Sequence, residues 1–170
     1  MSKLRSAFVV VSIGWFALIP LATFLAGRAS SQTSAGSGLA LGTYVIGSLV
    51  CHQRPERSFH LFGVQMPVCA RCLGIYAGAA AAAALLWLFS DRRSRLLRRE
   101  SAISWPGFGV ARNALLVSAI PIAATLAYEW TTGDTPANWI RAVSGLSLGA
   151  AVAWIVCTVE SGHNRVDTVN

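Results

Sequence analysis

The chain has 170 residues, of which 54% are hydrophobic and 12% are charged. A soluble domain carries about 25% charged residues, so this composition excludes an ordinary soluble globular protein. The net charge of +7 would suit nucleic-acid binding, but the arginines cluster between apolar stretches. In that position they act as topology signals and as contacts to anionic lipid, so nucleic acid is not an expected partner.

Four uncharged, mostly apolar windows follow one another along the chain. A membrane-spanning helix needs roughly 20 such residues, and four of them in a short chain leave no room for a separate soluble domain. We therefore predict an all-α membrane protein with a single membrane domain over residues 1–170. The predicted transmembrane helices cover about 7–27, 72–89, 113–130 and 138–159.

A shorter apolar run lies between the first two predicted helices. Residues 30–38 are rich in Ser and Gly, a composition that predicts a flexible linker. Residues 39–50 are apolar but number only 12, which is too few for a helix that crosses a bilayer. We predict a re-entrant or interfacial segment there, followed by a Cys/His-rich segment at 51–72.

The basic residues predict the orientation of these helices. With four helices and a cytoplasmic N-terminus, nine basic residues lie on the inner side and four on the outer side. Six of the nine fall in the predicted inner loop 90–112. If residues 39–50 also crossed the membrane, that loop would face outward, against the positive-inside rule. The pattern predicts cytoplasmic N- and C-termini and an extracytoplasmic Cys/His segment.

The Cys/His segment contains five candidate metal ligands: Cys51, His52, His60, Cys69 and Cys72. A Cys-x-x-Cys pair with two further donors about 10–20 residues away fits the general pattern of a tetrahedral zinc site. Because adjacent residues rarely bind one ion together, we predict Cys51, His60, Cys69 and Cys72 as ligands, with His52 as the substitute. Zinc is the predicted metal, and copper(I) also accepts thiolates.

The same cysteines allow two other interpretations. Cys69 and Cys72 lie at the N-terminal end of the second predicted helix, whose dipole stabilises a thiolate, and Arg71 adds positive charge. With Cys51 as a shuttle thiol, this arrangement would suit a membrane thiol–disulfide oxidoreductase. Alternatively, a disulfide staples the segment in a non-catalytic scaffold. Cys157, late in the last helix, is interpreted as a packing residue.

Charged residues near the Cys/His segment are candidates for a supporting role. Arg54 and Arg57, with Glu56 between them, would either bind an anionic substrate or lipid head group or form a solvated turn. Glu129 and Arg141 lie at facing ends of the last two predicted helices, so we predict that they form an ion pair. Membrane lipids are the expected partners, with a second copy of the chain or another membrane protein as a further possibility.

Two glycine pairs predict a contact between the second and fourth helices. Gly74 and Gly78 lie in one, and Gly145 and Gly149 lie in the other. Small residues at this spacing allow the backbones of membrane helices to approach closely.

The Cys/His segment resembles a known family. Residues 51–59 (CHQRPERSF) and 67–76 (PVCARCLGIY) are similar to the signature of small bacterial integral membrane proteins classified as a domain of unknown function, the DUF2085 family. The similarity extends to Asn138, Arg141 and the glycines of the last helix, and so covers roughly residues 40–155. The resemblance implies a multi-pass protein of the bacterial cytoplasmic membrane, and it implies no activity.

Overall fold

The computed structural model describes residues 3–28, 34–96 and 108–166. In these residues the chain forms five α-helices and one antiparallel β-hairpin. The elements are α1 (Lys3–Gly27), α2 (Ser34–Val50), a 3₁₀ turn (Pro55–Arg57), β1 (Ser58–Leu61), β2 (Val64–Cys69), α3 (Ala70–Leu96), α4 (Phe108–Thr132) and α5 (Asn138–Val166).

Within the described residues, four helices are long and apolar enough to cross a membrane. Large apolar side chains such as Val10, Leu116 and Val152 are exposed on them, as expected for surfaces that face lipid tails. The prediction of an all-α membrane protein with four spanning helices is therefore confirmed. The candidate spans are Lys3–Gly27, Ala70–Phe89, Phe108–Thr132 and Asn138–Thr158.

Helix α2 is shorter than these four. It has 17 residues, and a rise of 1.5 Å per residue makes it about 25 Å long, less than the roughly 30 Å of a bilayer core. It begins at Ser34, inside the stretch 30–38 for which composition predicts a linker; residues 29–33 lie outside the described residues. Composition alone does not predict that the helix begins before residue 39, because Ser and Gly have weak helix propensity. The packing of α2 along α1 stabilises these residues as a helix.

Helices α3 and α5 run parallel and touch backbone to backbone. A Cβ atom on Gly74 would overlap the carbonyl oxygen of Ala142, and one on Gly149 would overlap that of Ile75. Gly78 and Gly145 are blocked in the same way. The contact predicted from the two glycine pairs is confirmed, because only glycine allows this approach.

Helices α1 and α4 complete the bundle, each antiparallel to its neighbour. Along α1, Arg5 Nη2 donates to the carbonyl oxygen of Leu86 in α3 at 2.6 Å. Along α4, the carbonyl oxygen of Ser118 accepts a hydrogen bond from Ser147 Oγ of α5 at 2.7 Å. The start of α3, the start of α5, the end of α1 and the end of α4 therefore lie at the same end of the bundle, with the hairpin.

The opposite end carries the loop predicted over residues 90–112. Helix α3 continues through Leu96 and α4 begins at Phe108, so both extend into that range. Residues 97–107 of the predicted loop lie outside the described residues.

Candidate functional site

A β-hairpin occupies most of the Cys/His segment. Strands β1 and β2 pair with Ser58 opposite Cys69 and Leu61 opposite Val64. The two residues between the strands, Phe62 and Gly63, both have positive φ, at 54° and 77°, as in the two-residue turns that suit hairpin twist. Sequence analysis missed the hairpin because Phe-Gly lacks the usual Asn-Gly signal.

The hairpin brings three cysteines together. Cys51 directly follows α2, Cys69 ends β2, and Cys72 lies in the first turn of α3. Their Sγ atoms all lie within 4.8 Å of one another, and they form the candidate metal-binding group among the described residues. The backbone N–H of Cys69 donates to Cys51 Sγ at 3.2 Å, which fixes the first thiol against the other two. Cys51 is buried and the other two are half-buried.

The structure does not bring the two histidines into this group. His52 and His60 are both exposed. His60 lies beyond Ser58 along β1, so the strand carries it away from Cys69 and toward the turn. His52 follows Cys51 directly, yet its side chain is exposed. Of the four ligands predicted from sequence, the fold thus assembles the three cysteines and leaves out His60 and its substitute.

The thiol of Cys69 is strongly acidified. A hydrogen bond with the Cys72 side chain lowers the pKa of Cys69 to about 5, against the opposing effect of burial. Backbone N–H groups of Arg71 and Cys72 and the side chain of Cys51 lower this pKa further. N–H groups of this kind, at a helix start, are what stabilises a thiolate, so Cys69 is the residue most ready to act as ligand or nucleophile.

Two glutamines, which sequence analysis did not single out, hold the thiols in place. Gln53 has φ of 45°, and its Nε2 donates to the carbonyl oxygens of Tyr44 at 2.9 Å and Pro67 at 2.7 Å. Gln65 Nε2 donates to the carbonyl oxygen of Gln53, and Tyr44 Oη donates to that of Gln65. These bonds tie the end of α2 to β2. The signal available in the sequence was the position of Gln53, two residues after Cys51.

A cluster of charges lies beside the thiols. Arg141 Nη2 lies 2.7 Å from Glu129 Oε1, and Arg71 Nη2 lies 3.0 Å from the same oxygen. Arg57 Nη2 lies 3.6 Å from Glu129 Oε2, and Thr125 Oγ1 accepts a hydrogen bond from Arg71 at 3.1 Å. The predicted pair of Glu129 and Arg141 is therefore present, extended by two further arginines. We call Arg57, Arg71, Arg141 and Glu129 the arginine cluster.

Arg54 does not join this cluster. It lies 4.0 Å from Glu56, and both side chains are more than half exposed. The pair is thus a solvated surface contact, which contributes little to stability.

The arginine cluster and the three thiols share the same supporting elements. Arg71 lies in the chain between Cys69 and Cys72. Asn138, at the start of α5, donates from Nδ2 to the carbonyl oxygen of Ser58 at 3.0 Å, which ties α5 to the strand that pairs with Cys69. The thiols and the charges therefore form two neighbouring parts of one end of the bundle.

Comparisons with known proteins place these residues in a family. The family described as "Predicted membrane protein (DUF2085)" matches residues 51–155. An uncharacterized protein of Methanocaldococcus jannaschii is 55% identical over 40 residues, which cover 24% of this chain and 26% of that protein. An uncharacterized protein of Methanothermobacter thermautotrophicus is 57% identical over 30 residues, covering 18% and 27%. The chain thus spans about a quarter of the length of these archaeal relatives. No solved structure matches the chain.

Proposed function

The chain belongs to the DUF2085 family of predicted membrane proteins, and we propose that it binds a thiophilic transition-metal ion through Cys51, Cys69 and Cys72. The observation that carries this proposal is that the three Sγ atoms lie within 4.8 Å of one another. Sulfurs bound to one tetrahedral zinc ion at about 2.3 Å lie about 3.8 Å apart. Small side-chain rotations close that difference, so the donor set fits the ion. Zinc is the first candidate, and copper(I) is the second because it also prefers soft thiolate ligands.

Three protein ligands leave one position of a tetrahedral ion open. Structural zinc sites are closed by four protein donors, whereas sites that exchange a ligand keep a position free. Among the described residues, only the three cysteines form the group, and His52 and His60 lie outside it. We therefore propose that a ligand from outside the chain takes the fourth position. We therefore favour a sensing or transport-accessory role over a purely structural one.

We place the protein in the cytoplasmic membrane of a bacterium, with both termini in the cytoplasm and the thiols on the extracytoplasmic side. The excess of basic residues on the predicted inner side supports this orientation. The bacterial source rests on the resemblance of the signature residues, whereas the matched relatives are archaeal; both support the proposal of a prokaryotic cell membrane.

The test is elemental analysis of detergent-purified protein, prepared without added metal, with thiols counted on the same sample. We expect about one zinc or copper ion per chain, lost in Cys69→Ser and retained in Cys157→Ser, because Cys157 lies in α5 outside the thiol group. His60→Ala decides the fourth ligand: unchanged metal content supports an open position, and loss of metal makes His60 a ligand. Metal-free protein with two cysteines unreactive until reduced would overturn the proposal.

A second candidate function is thiol–disulfide exchange at the membrane, favoured by the acidified Cys69 thiol at the start of α3. In that reaction Cys69 and a second thiol become a disulfide, and two electrons and two protons pass to an oxidant such as a quinone. With Cys69 as the attacking thiol, Cys72→Ser would trap mixed disulfides on Cys69. If a disulfide only cross-links the hairpin, the purified protein should contain no metal and Cys72→Ser should trap no mixed disulfide. Reduction of that disulfide should only lower the melting temperature.

A further inference from the structure

We propose that the arginine cluster binds a phosphate group, carried either by a lipid head group or by free inorganic phosphate. The site consists of Arg57, Arg71 and Arg141, oriented by Glu129. It is separate from the thiol group in its chemistry, and the proposal does not depend on a bound metal.

The first argument is an unbalanced buried charge. In the described part of the chain, the cluster holds three guanidinium groups and one carboxylate. The side chain of Arg141 is only 2% exposed and that of Glu129 only 5%. Charges removed from water are stable only when paired. After Glu129 compensates one arginine, a charge of about +2 remains, and water reaches it only in part, since Arg57 is 34% and Arg71 18% exposed. Dissolved phosphate, with about −1.5 to −2, offsets nearly all of this charge, and a lipid phosphodiester, with about −1, offsets half of it.

The second argument is a set of unused donors. The Nε atoms of Arg57, Arg71 and Arg141 are buried without a hydrogen-bond partner among the described residues. Each guanidinium has five N–H donors arranged as a planar fork, and Glu129 occupies only the Nη2 atoms. Buried donors normally find a partner. A tetrahedral oxyanion offers several acceptor oxygens to such forks, and arginine is the residue best suited to bind it.

The third argument is that the fold holds the like charges together. A Cβ atom on Gly145 would overlap the carbonyl oxygen of Arg71, so α5 lies directly against the backbone that carries this arginine. Arg141 lies one turn before Gly145 on the same helix. The backbone contact therefore holds the two arginines together on the one carboxylate of Glu129, and a second anion would compensate the charge that Glu129 leaves.

The position of the cluster indicates how a phosphate group would enter. Arg57, on the turn before β1, has a side chain that is 34% exposed, so the cluster opens to the surface there. The cluster lies where α3 and α5 begin and α4 ends, which is the depth of the head groups around a spanning helix. Lipid phosphate and dissolved phosphate both reach this depth.

The experiment measures phosphate binding by the full-length, detergent-purified protein. One arm titrates inorganic phosphate against chloride at constant ionic strength and follows the melting temperature. The other arm titrates dioctanoyl-phosphatidylglycerol and counts bound lipid by native mass spectrometry. Saturable binding of inorganic phosphate identifies a free-phosphate site, and saturable binding of the lipid alone identifies a head-group site. Either result supports the proposal, and binding of neither probe overturns it.

Arg57→Gln is the decisive variant, with Arg54→Gln as the matched control. Both residues lie on the same turn, but Arg54 contacts only Glu56 on the surface. Loss of one charge-assisted contact predicts a dissociation constant roughly tenfold or more weaker for Arg57→Gln, and no change for Arg54→Gln. Equal affinities in the two variants would overturn the proposal. Cys69→Ser should bind the probe normally, so failure of the metal site and failure of the phosphate site are distinguishable.

Discussion

Replacing Glu129 by Gln removes the carboxylate shared by three arginines and keeps nearly the same side-chain volume. Two of those arginines, Arg71 and Arg141, are mostly buried, with side chains 18% and 2% exposed. Removing one partner of a buried ion pair costs about 3–5 kcal/mol, because the remaining charge stays desolvated. We expect Glu129→Gln to lose about that much unfolding free energy.

The assay is reversible unfolding in mixed detergent micelles, followed by circular dichroism. Glu56→Gln is the matched control: it makes the same chemical change at a residue paired with an arginine at 4.0 Å, but 55% exposed. A surface pair of this kind contributes about 0–1 kcal/mol. If the loss for Glu129→Gln were no greater than the loss for Glu56→Gln, the charges at the site would not be desolvated as the burial of Arg141 implies. The reasoning for the phosphate site would then fail with it.

Three further predictions follow from the packing and the thiols. Gly78→Leu should separate α3 from α5 and lower the melting temperature strongly, because a Cβ atom there would overlap the backbone of α5. Gly14→Leu should change the melting temperature little, because a Cβ atom there meets nothing within 4 Å. Gln53→Ala should remove at least two hydrogen bonds between α2 and β2, which lowers the free energy of unfolding by about 1–3 kcal/mol. The same variant should weaken the proposed metal binding at Cys51, measured by competition with a metal chelator. In metal-free protein the pKa of Cys69 near 5 predicts that iodoacetamide labels Cys69 at pH 6 and that labelling falls off below pH 5. The contribution of the Cys69 thiolate to folding stability is present above the ordinary thiol pKa of about 8.5 and is lost as the pH falls through 5. A labelling midpoint near pH 8.5 would contradict the lowered pKa of Cys69.

The spanning helices could be predicted because an uncharged, apolar window must have about 20 residues to cross the bilayer core. The contact between α3 and α5 could also be predicted, since glycine spacing reports on backbone approach. The hairpin could not, because β1 has only four residues and its turn is Phe-Gly. The position of His60 also follows from the hairpin, because the strand register separates His60 from Cys69 and sequence spacing alone does not show that register.

The arginine cluster was only partly predictable. The short turn between α4 and α5 makes these helices antiparallel neighbours, which indicates the pair of Glu129 and Arg141. Arg71 meets Glu129 across 58 positions of sequence, and no local pattern reports such a contact. Arg54 and Arg57 look equivalent in the sequence, yet Arg54 contacts Glu56 on the surface and Arg57 contacts Glu129.

The contact between α3 and α5 can form only late in the synthesis of the chain, because α4 lies between the two helices in the sequence. The ribosome delivers the N-terminal segments first, so the hairpin and α3 are complete while α4 and α5 are still being synthesised. Until then Arg71 lacks its carboxylate, and an ionisable group left unpaired at the membrane is costly. A chain interrupted before α5 would carry the three thiols and Glu129, but it would lack Arg141 and the two α5 glycines, Gly145 and Gly149, against which α3 packs.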